Sequence, residues 1–292
     1  MTGAPAADYG TWVGRTEVVD DVASRSSVAQ LAALLDRPIA AEHLDATPLF
    51  PTGHWMQFTP TAAESELGAD GHPRLGGFMP PLDLPRRMWA GSTIEYHAPI
   101  MPGQRLRKTS TIESITPKTG SSGRLCFVVL RHDIDAGGRP AITERQTVVY
   151  REPVERATAM PTGPQPPREA TDAPDGWDWT STATPDEIIL FRFSALTFNS
   201  HRIHYDLPYA SDVEGYPGLV VHGPLSATML VSSFLDRRPG ATITHFEFTA
   251  RTPVFARERL HIVGRSDGQN AEELAVIAPE GQTAVAARIR YH

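Results

Sequence analysis

Three side chains able to hold or steer a proton, Asn199, His201 and His204, fall within six residues of the string Phe193-Ser-Ala-Leu-Thr-Phe-Asn-Ser-His-Arg-Ile-His-Tyr-Asp206. Phe198, Ile203 and Tyr205 hem them in, which predicts a partly dry pocket of the kind that tunes a histidine for proton transfer near neutral pH. A second polar cluster follows after a short gap, Gly218-Leu-Val-Val-His-Gly-Pro-Leu-Ser-Ala227. His201-x-x-His204 with Asp206 also has metal-ligand spacing, but the other histidines form no supporting set, so no metal is expected. Gly223-Pro-Leu-Ser226-Ala lacks the closing glycine of a nucleophile elbow, and no βαβ pattern surrounds it.

These residues must be carried by a larger frame. The chain has 292 residues, and Pro164, Pro166, Pro167 and Pro174 punctuate a stretch without apolar periodicity. This composition predicts a linker over 153–186, between units at 1–152 and 187–292. Within the first unit, Val22 to Leu35 has helical spacing with Ser24 or Ser26 as cap; within the second, Pro224 to Phe234 does the same with Pro224 in the first turn. Strand patterns then close each unit, Leu125 to Ile134 and Ala141 to Arg151 in one, Glu273 to Ala278 and Ala284 to Tyr291 in the other.

The units also look like distant copies. Glu95-Tyr-His-Ala-Pro-Ile-Met-Pro-Gly-Gln-Arg-Leu106 and Glu247-Phe-Thr-Ala-Arg-Thr-Pro-Val-Phe-Ala-Arg-Glu-Arg-Leu260 both read strand, proline turn, strand, and both last strands end on a tyrosine, Tyr150 and Tyr291. A helix followed by antiparallel strands, twice over, predicts an α+β fold in which each sheet wraps a helix.

Composition narrows the function. Lys and Arg total 27 against 34 for Asp and Glu, a formal net charge of −7, so a nucleic-acid footprint is not expected. The one cysteine, Cys126, sits in an apolar run and reads as a buried strand thiol in a reducing compartment. No basic stretch leads into an apolar core at the N-terminus and nowhere do 18 apolar residues run together, which predicts a soluble cytoplasmic protein without a membrane partner.

The residues around His204 resemble the MaoC-like hydratase and dehydratase family. Its motif of acidic residue, two residues, Pro, apolar residue, His and a trailing Asp is matched at His204 and Asp206. Its downstream apolar-apolar-His-Gly is matched at Val220-Val221-His222-Gly223. Asn199 stands where the family commonly has aspartate, and His201-Arg202 replaces Asn-Pro. The longer string is similar to the branch of type 2 hydroxyacyl-thioester dehydratases and mesaconyl-C4-CoA hydratases, where asparagine is the expected residue and a degenerate N-terminal hot dog precedes the catalytic one.

The resemblance spans residues 10 to 292 and implies a double hot-dog fold with a catalytic second unit and a first unit that walls the acyl pocket. It further implies a hydro-lyase acting on an enoyl or 3-hydroxyacyl thioester. In that scheme His204 is the acid/base, Asn199 orients water or substrate, and the Gly223 N–H, at a helix start, receives the thioester oxygen. His201, Arg202, Tyr205, Asp206, Val221, His222, Arg86 and Trp89 would touch the substrate. Either His204 handles both proton transfers, or His201 or Asp206 shares them. An arginine of the Arg86-Arg87 stretch would meet a free carboxylate on the acyl group. No cofactor is expected beyond coenzyme A or an acyl carrier protein as part of the substrate, and a homodimer is a further expectation because such folds commonly pair. A thioesterase on the same fold and a non-catalytic acyl-thioester-binding subunit are the competing expectations.

Overall fold

A computed structural model describes residues 9–120, 123–152 and 163–292. Ten strands form one antiparallel sheet in the order β1-β3-β4-β5-β2-β7-β10-β9-β8-β6. The first half comprises β1 (Thr16–Val22), β2 (Arg86–Tyr96), β3 (Arg105–Gly120), β4 (Gly123–Ala136) and β5 (Arg139–Arg151). The second comprises β6 (Trp179–Ala183), β7 (Ile243–Ala250), β8 (Leu260–Ser266), β9 (Ala271–Ile277) and β10 (Thr283–Tyr291). Helix α1 (Arg25–Leu34) belongs to the first half and α3 (Gly223–Arg237) to the second. This is the expected α+β double hot dog.

The suspected copies meet each other. Strands β2 and β7 join the half-sheets, with Glu95 opposite His245, Ile94 opposite Phe246 and Thr93 opposite Glu247. Glu95 and Glu247 begin the two similar strings, so Ile94 pairs with its own counterpart, Phe246, while Glu95 and Thr93 each pair with the counterpart of the other, and a pseudo-twofold axis passes through the Ile94–Phe246 pair.

Helix α3 is sealed because its apolar residues occupy all sides. Leu225, Ala227, Leu230, Val231 and Phe234 are fully buried, and each of the larger ones contributes ~1.5–3 kcal/mol by leaving water. The strand facing it shows the period of two that a half-buried sheet demands, with Val285, Ala287 and Ile289 inward and Arg288 and Arg290 turned out. In the first half α1 is ten residues long, capped by Ser24, whose hydroxyl accepts from the Ser27 N–H at 3.2 Å. Cys126 is buried in β4 as expected. Among the described residues no helix is long and apolar enough to cross a membrane.

The expected linker needs correction. Part of the expected linker, 153–162, lies outside the described residues, but Trp179–Ala183 within it is strand β6, paired with β8 at the sheet edge. Trp-Thr-Ser-Thr-Ala lacks apolar alternation, so nothing local distinguished it from its proline-rich surroundings. A third helix, α2 (Glu187–Thr197), also went unpredicted. Its residues Ile188, Ile189, Leu190, Phe191, Phe193 and Leu196 are apolar on every side and leave no single stripe, and Ile188 and Phe191 in fact face outward.

Candidate active site

The site is assembled where α2 ends. Asp186 caps its start by accepting from the Ile188 and Ile189 N–H groups, and Phe198 ends it in the left-handed region at φ 49°. That hook turns the chain so that the Asn199 N–H reaches the Ser194 carbonyl at 2.9 Å, while Asn199 Oδ1 accepts from the His201 N–H at 3.0 Å. A single tight turn, Arg202–His204, then carries His204 inward.

His204 is held by its surroundings. Its Nδ1 donates to the Val220 carbonyl at 2.7 Å, and the Val220 N–H returns a bond to the Ile203 carbonyl at 2.9 Å, so the two motif segments are tied together. A carbonyl can only accept, which fixes the proton on Nδ1 and leaves a lone pair on Nε2. Nε2 has no protein partner and is not sealed. His222 is its counterexample: the ring stacks on His204 with centroids 3.6 Å apart, its Nε2 bonds the Ser194 hydroxyl at 2.9 Å, and its Nδ1 is buried with no partner. His222 therefore shapes the site and supports the His204 ring without an open nitrogen to offer.

Burial sets the protonation of all three histidines. His204 is lowered to about 4 by desolvation, against which the Val220 carbonyl pulls upward. Desolvation and the neighbouring His204 lower His201 to about 3, and desolvation carries His222 well below its ordinary value. All three are neutral at pH 7.

A cavity of ≈ 350 Å³ lies beside them, lined by Trp55, His72, Trp89, Phe193, Asn199 and Pro224 among others. His222 packs behind this wall, its ring 5.0 Å from that of Phe193. Both halves contribute. The two tryptophans come from the first and are held by a buried carboxylate: Glu144 accepts from Trp55 Nε1 at 3.1 Å and from Ser92 Oγ at 2.6 Å, and Ser92 Oγ in turn receives Trp89 Nε1 at 2.9 Å. Gly223 opens α3 against the Trp89 carbonyl, and its N–H, in the first helical turn, has no partner within the helix.

A loop of the first half, 68–73, completes the wall. Gly71 (φ 89°) allows it to dock, because a Cβ there would stand 1.9 Å from the Ser200 carbonyl oxygen. Docking brings Asp70 and His72 to His201: Asp70 Oδ2 accepts from His72 Nδ1 at 2.9 Å, and the His72 and His201 rings lie 4.2 Å apart. Ligand atoms of these three residues lie within 4.8 Å of one another, the spacing of a metal site. It is a different set from the one the sequence offered, since Asp206 is committed elsewhere. The sequence missed Asp70, His72 and Trp55, which lie far along the chain and become neighbours only through the docked loop and the Glu144 network.

The predicted site residues thus divide. His204, His201, Asn199, Val221, His222, Gly223 and Trp89 come together. Arg202, Tyr205 and Asp206 do not face the cavity; they build the loop beneath it. Asp206 accepts from Arg202 at 2.7 Å and from the Tyr209 N–H at 3.1 Å, Arg202 also reaches the Ala69 carbonyl at 3.1 Å, and the Tyr205 hydroxyl donates to the Ser200 carbonyl at 3.1 Å. Asp206 is thus engaged by Arg202 and the loop backbone and does not line the cavity. Arg86 is likewise occupied, its guanidinium 2.8 Å from Glu214.

Comparison with known proteins agrees with this arrangement. The family model for hydroxyacyl-thioester dehydratase type 2 matches residues 52–256. The chain is 42% identical over 284 residues to mesaconyl-C4-CoA hydratase of Chloroflexus aurantiacus, covering 97% of this chain and 98% of that protein. Among solved structures, a MaoC-like dehydratase from Phytophthora capsici superposes with a TM-score of 0.68 at 15% identity, covering 96% of this chain and 95% of that one. A Mycobacterium tuberculosis protein described as having a double hot-dog fold superposes with a TM-score of 0.54 at 11% identity, covering 96% of each.

Proposed function

The chain belongs to the hydroxyacyl-thioester dehydratase type 2 family, and from that footing we propose that it reversibly adds water across the double bond of an enoyl-CoA thioester, with His204 moving the protons. The observation that carries the proposal is a buried histidine beside the cavity whose Nδ1 is fixed on a carbonyl and whose Nε2 has no protein partner.

In the hydration direction, His204 Nε2 takes a proton from water as its oxygen bonds to the β-carbon, and electrons of the double bond move to the thioester oxygen. The Gly223 N–H receives that enolate oxygen, where the positive end of α3 favours negative charge. His204 then returns the proton to the α-carbon, so one group performs both transfers. A pKa of about 4 makes the resting imidazole neutral but weakly basic, and the enolate formed opposite it supplies the negative charge that favours its protonated form. Asn199 spends its Oδ1 on the His201 N–H, which leaves its NH₂ group to orient water or the carbonyl. Trp55, Trp89 and His72 give the first half its role as wall of the acyl pocket.

This chemistry asks for no cofactor beyond the thioester carrier itself. A branched acyl group of the mesaconyl kind, carrying a free carboxylate, is the proposed substrate, in keeping with the name of the relative, and the buried unpaired Cys126 suits a cytoplasmic setting. The test is absorbance at the conjugated enoyl thioester band with mesaconyl-C4-CoA. Loss of the band without release of free thiol is expected; thiol release would instead make the protein a thioesterase.

A further inference from the structure

A second cavity, of ≈ 580 Å³, adjoins the first through His72, which lines both. Its charges do not balance. Three carboxylates face it and each is engaged: Asp70 with His72 at 2.9 Å, Asp83 with Arg124 at 2.8 Å, and Glu214 with Arg86 at 2.8 Å. Arg87 faces it too, half-buried and without an ion pair among the described residues. Arg74, the remaining unpaired cation of the wall, is exposed.

Beside Arg87 stands an orphaned donor. Tyr150 is 1% exposed, lines the same cavity, and its hydroxyl is buried without a hydrogen-bond partner. Leaving such a group unpaired opposes folding unless a ligand satisfies it. Arg87 and Tyr150 are direct cross-strand partners between β2 and β5, so the sheet holds both side chains on one face. The Arg87 charge also reaches His201, which locates it near the histidine cluster. A planar guanidinium without an ion pair, lying against a hydroxyl that meets no full hydrogen-bond geometry, is a receptor for a small planar anion.

We propose that Arg87 and Tyr150 form a subsite for a free carboxylate on the acyl group, reached past His72 from the cavity beside Asn199. The proposal rests on the thioester reading above and deepens it, because it assigns the substrate to acyl thioesters that end in, or branch to, a carboxylate. Phosphates of coenzyme A share the same chemistry and are the competing source of the anion.

Binding of two non-reacting thioesters separates these sources without requiring turnover. Calorimetric affinities for succinyl-CoA and butyryl-CoA, which have the same four-carbon length and differ in the carboxylate, give a ratio for each protein. The wild type is expected to prefer succinyl-CoA by at least about tenfold, Arg87→Met to bring the ratio close to one, and Tyr150→Phe to reduce it by a smaller factor. Arg87→Lys, which keeps charge but loses the fork, should fall between wild type and Arg87→Met and serves if the methionine variant does not fold. A wild-type ratio near one overturns the proposal. So does an Arg87 variant that weakens both thioesters together with the ratio intact, which would assign the anion to coenzyme A. Failure of the hydratase reading would appear separately, as an unchanged enoyl band in the wild type.

Discussion

Each half of the molecule buries a histidine that bonds through both or only one of its ring nitrogens, and that difference separates structure from chemistry. In the first half His54 is fully employed: its Nδ1 bonds the Pro51 carbonyl and its Nε2 bonds Glu144, each at 3.0 Å. In the second half His204 has one nitrogen on Val220 and the other open. The first arrangement anchors Trp55 and, through Ser92, Trp89; the second leaves a lone pair for a reacting molecule. A duplicated frame can thus keep one copy as a support and let the other keep the reaction. Burial of a histidine says little by itself, and the count of its partners decides what it does.

The contrast is open to direct attack. Glu144→Gln should produce the largest stability effect. Burial would raise the Glu144 carboxyl, but His54, His132 and Ser92 together hold it at about 2, so the buried carboxylate is ionised in the native state and removing it from its partners costs ~3–5 kcal/mol. Chemical denaturation should show that loss, with Trp55 fluorescence altered because its indole N–H loses an acceptor; a loss below 1 kcal/mol would mean the network is not a support.

Acid should act next, through the buried histidines His204 and His201 of the second half and His132 of the first. The unfolded chain protonates histidine near 6.5, whereas folded His204 and His201 wait until about 4 and about 3. Between those values the unfolded state binds more protons, so stability is complete above about pH 7 and falls as pH drops toward 4, by on the order of 3 kcal/mol from His204 alone. Glu144 adds a later loss, beginning below its unfolded value of 4.5 and completed near 2. Melting temperature against pH should therefore decline in two stages; a flat profile from pH 7 to 4 would show the histidines to be solvated.

The smallest effect is expected at Tyr205. Its hydroxyl donates to the Ser200 carbonyl on an exposed surface, so Tyr205→Phe should cost about 0.5 kcal/mol and leave kcat and KM for an enoyl-CoA within about twofold. A large rise in KM would return Tyr205 to the substrate, where the sequence alone had placed it.

The sequence was most legible where chemistry is local. His204, Asn199 and the Val220–Gly223 segment lie close along the chain, and the Glu95 and Glu247 strings betrayed the duplication that β2 and β7 make literal. It was least legible where partners are remote. Arg202, Tyr205 and Asp206 looked like pocket residues because they flank His204, but a tight turn points neighbours in different directions, and the Arg202–Asp206 pair spends them on the loop. Asp70 and His72 gave no signal because only the close approach allowed by Gly71 brings them to His201. Arg86 is ion-paired with Glu214 whereas Arg87 lies across the sheet from Tyr150 without an ion pair among the described residues, and no local pattern records that.

The central claim, that the open nitrogen of His204 does the work, is tested most directly by the initial rate at which His204→Ala removes the enoyl band of mesaconyl-C4-CoA at pH 7. A fall of ~10²–10⁴-fold in kcat with the melting temperature preserved is the expected result. A folded His204→Ala protein that hydrates the thioester at the wild-type rate would contradict the account and move the proton transfer to another residue of the cluster.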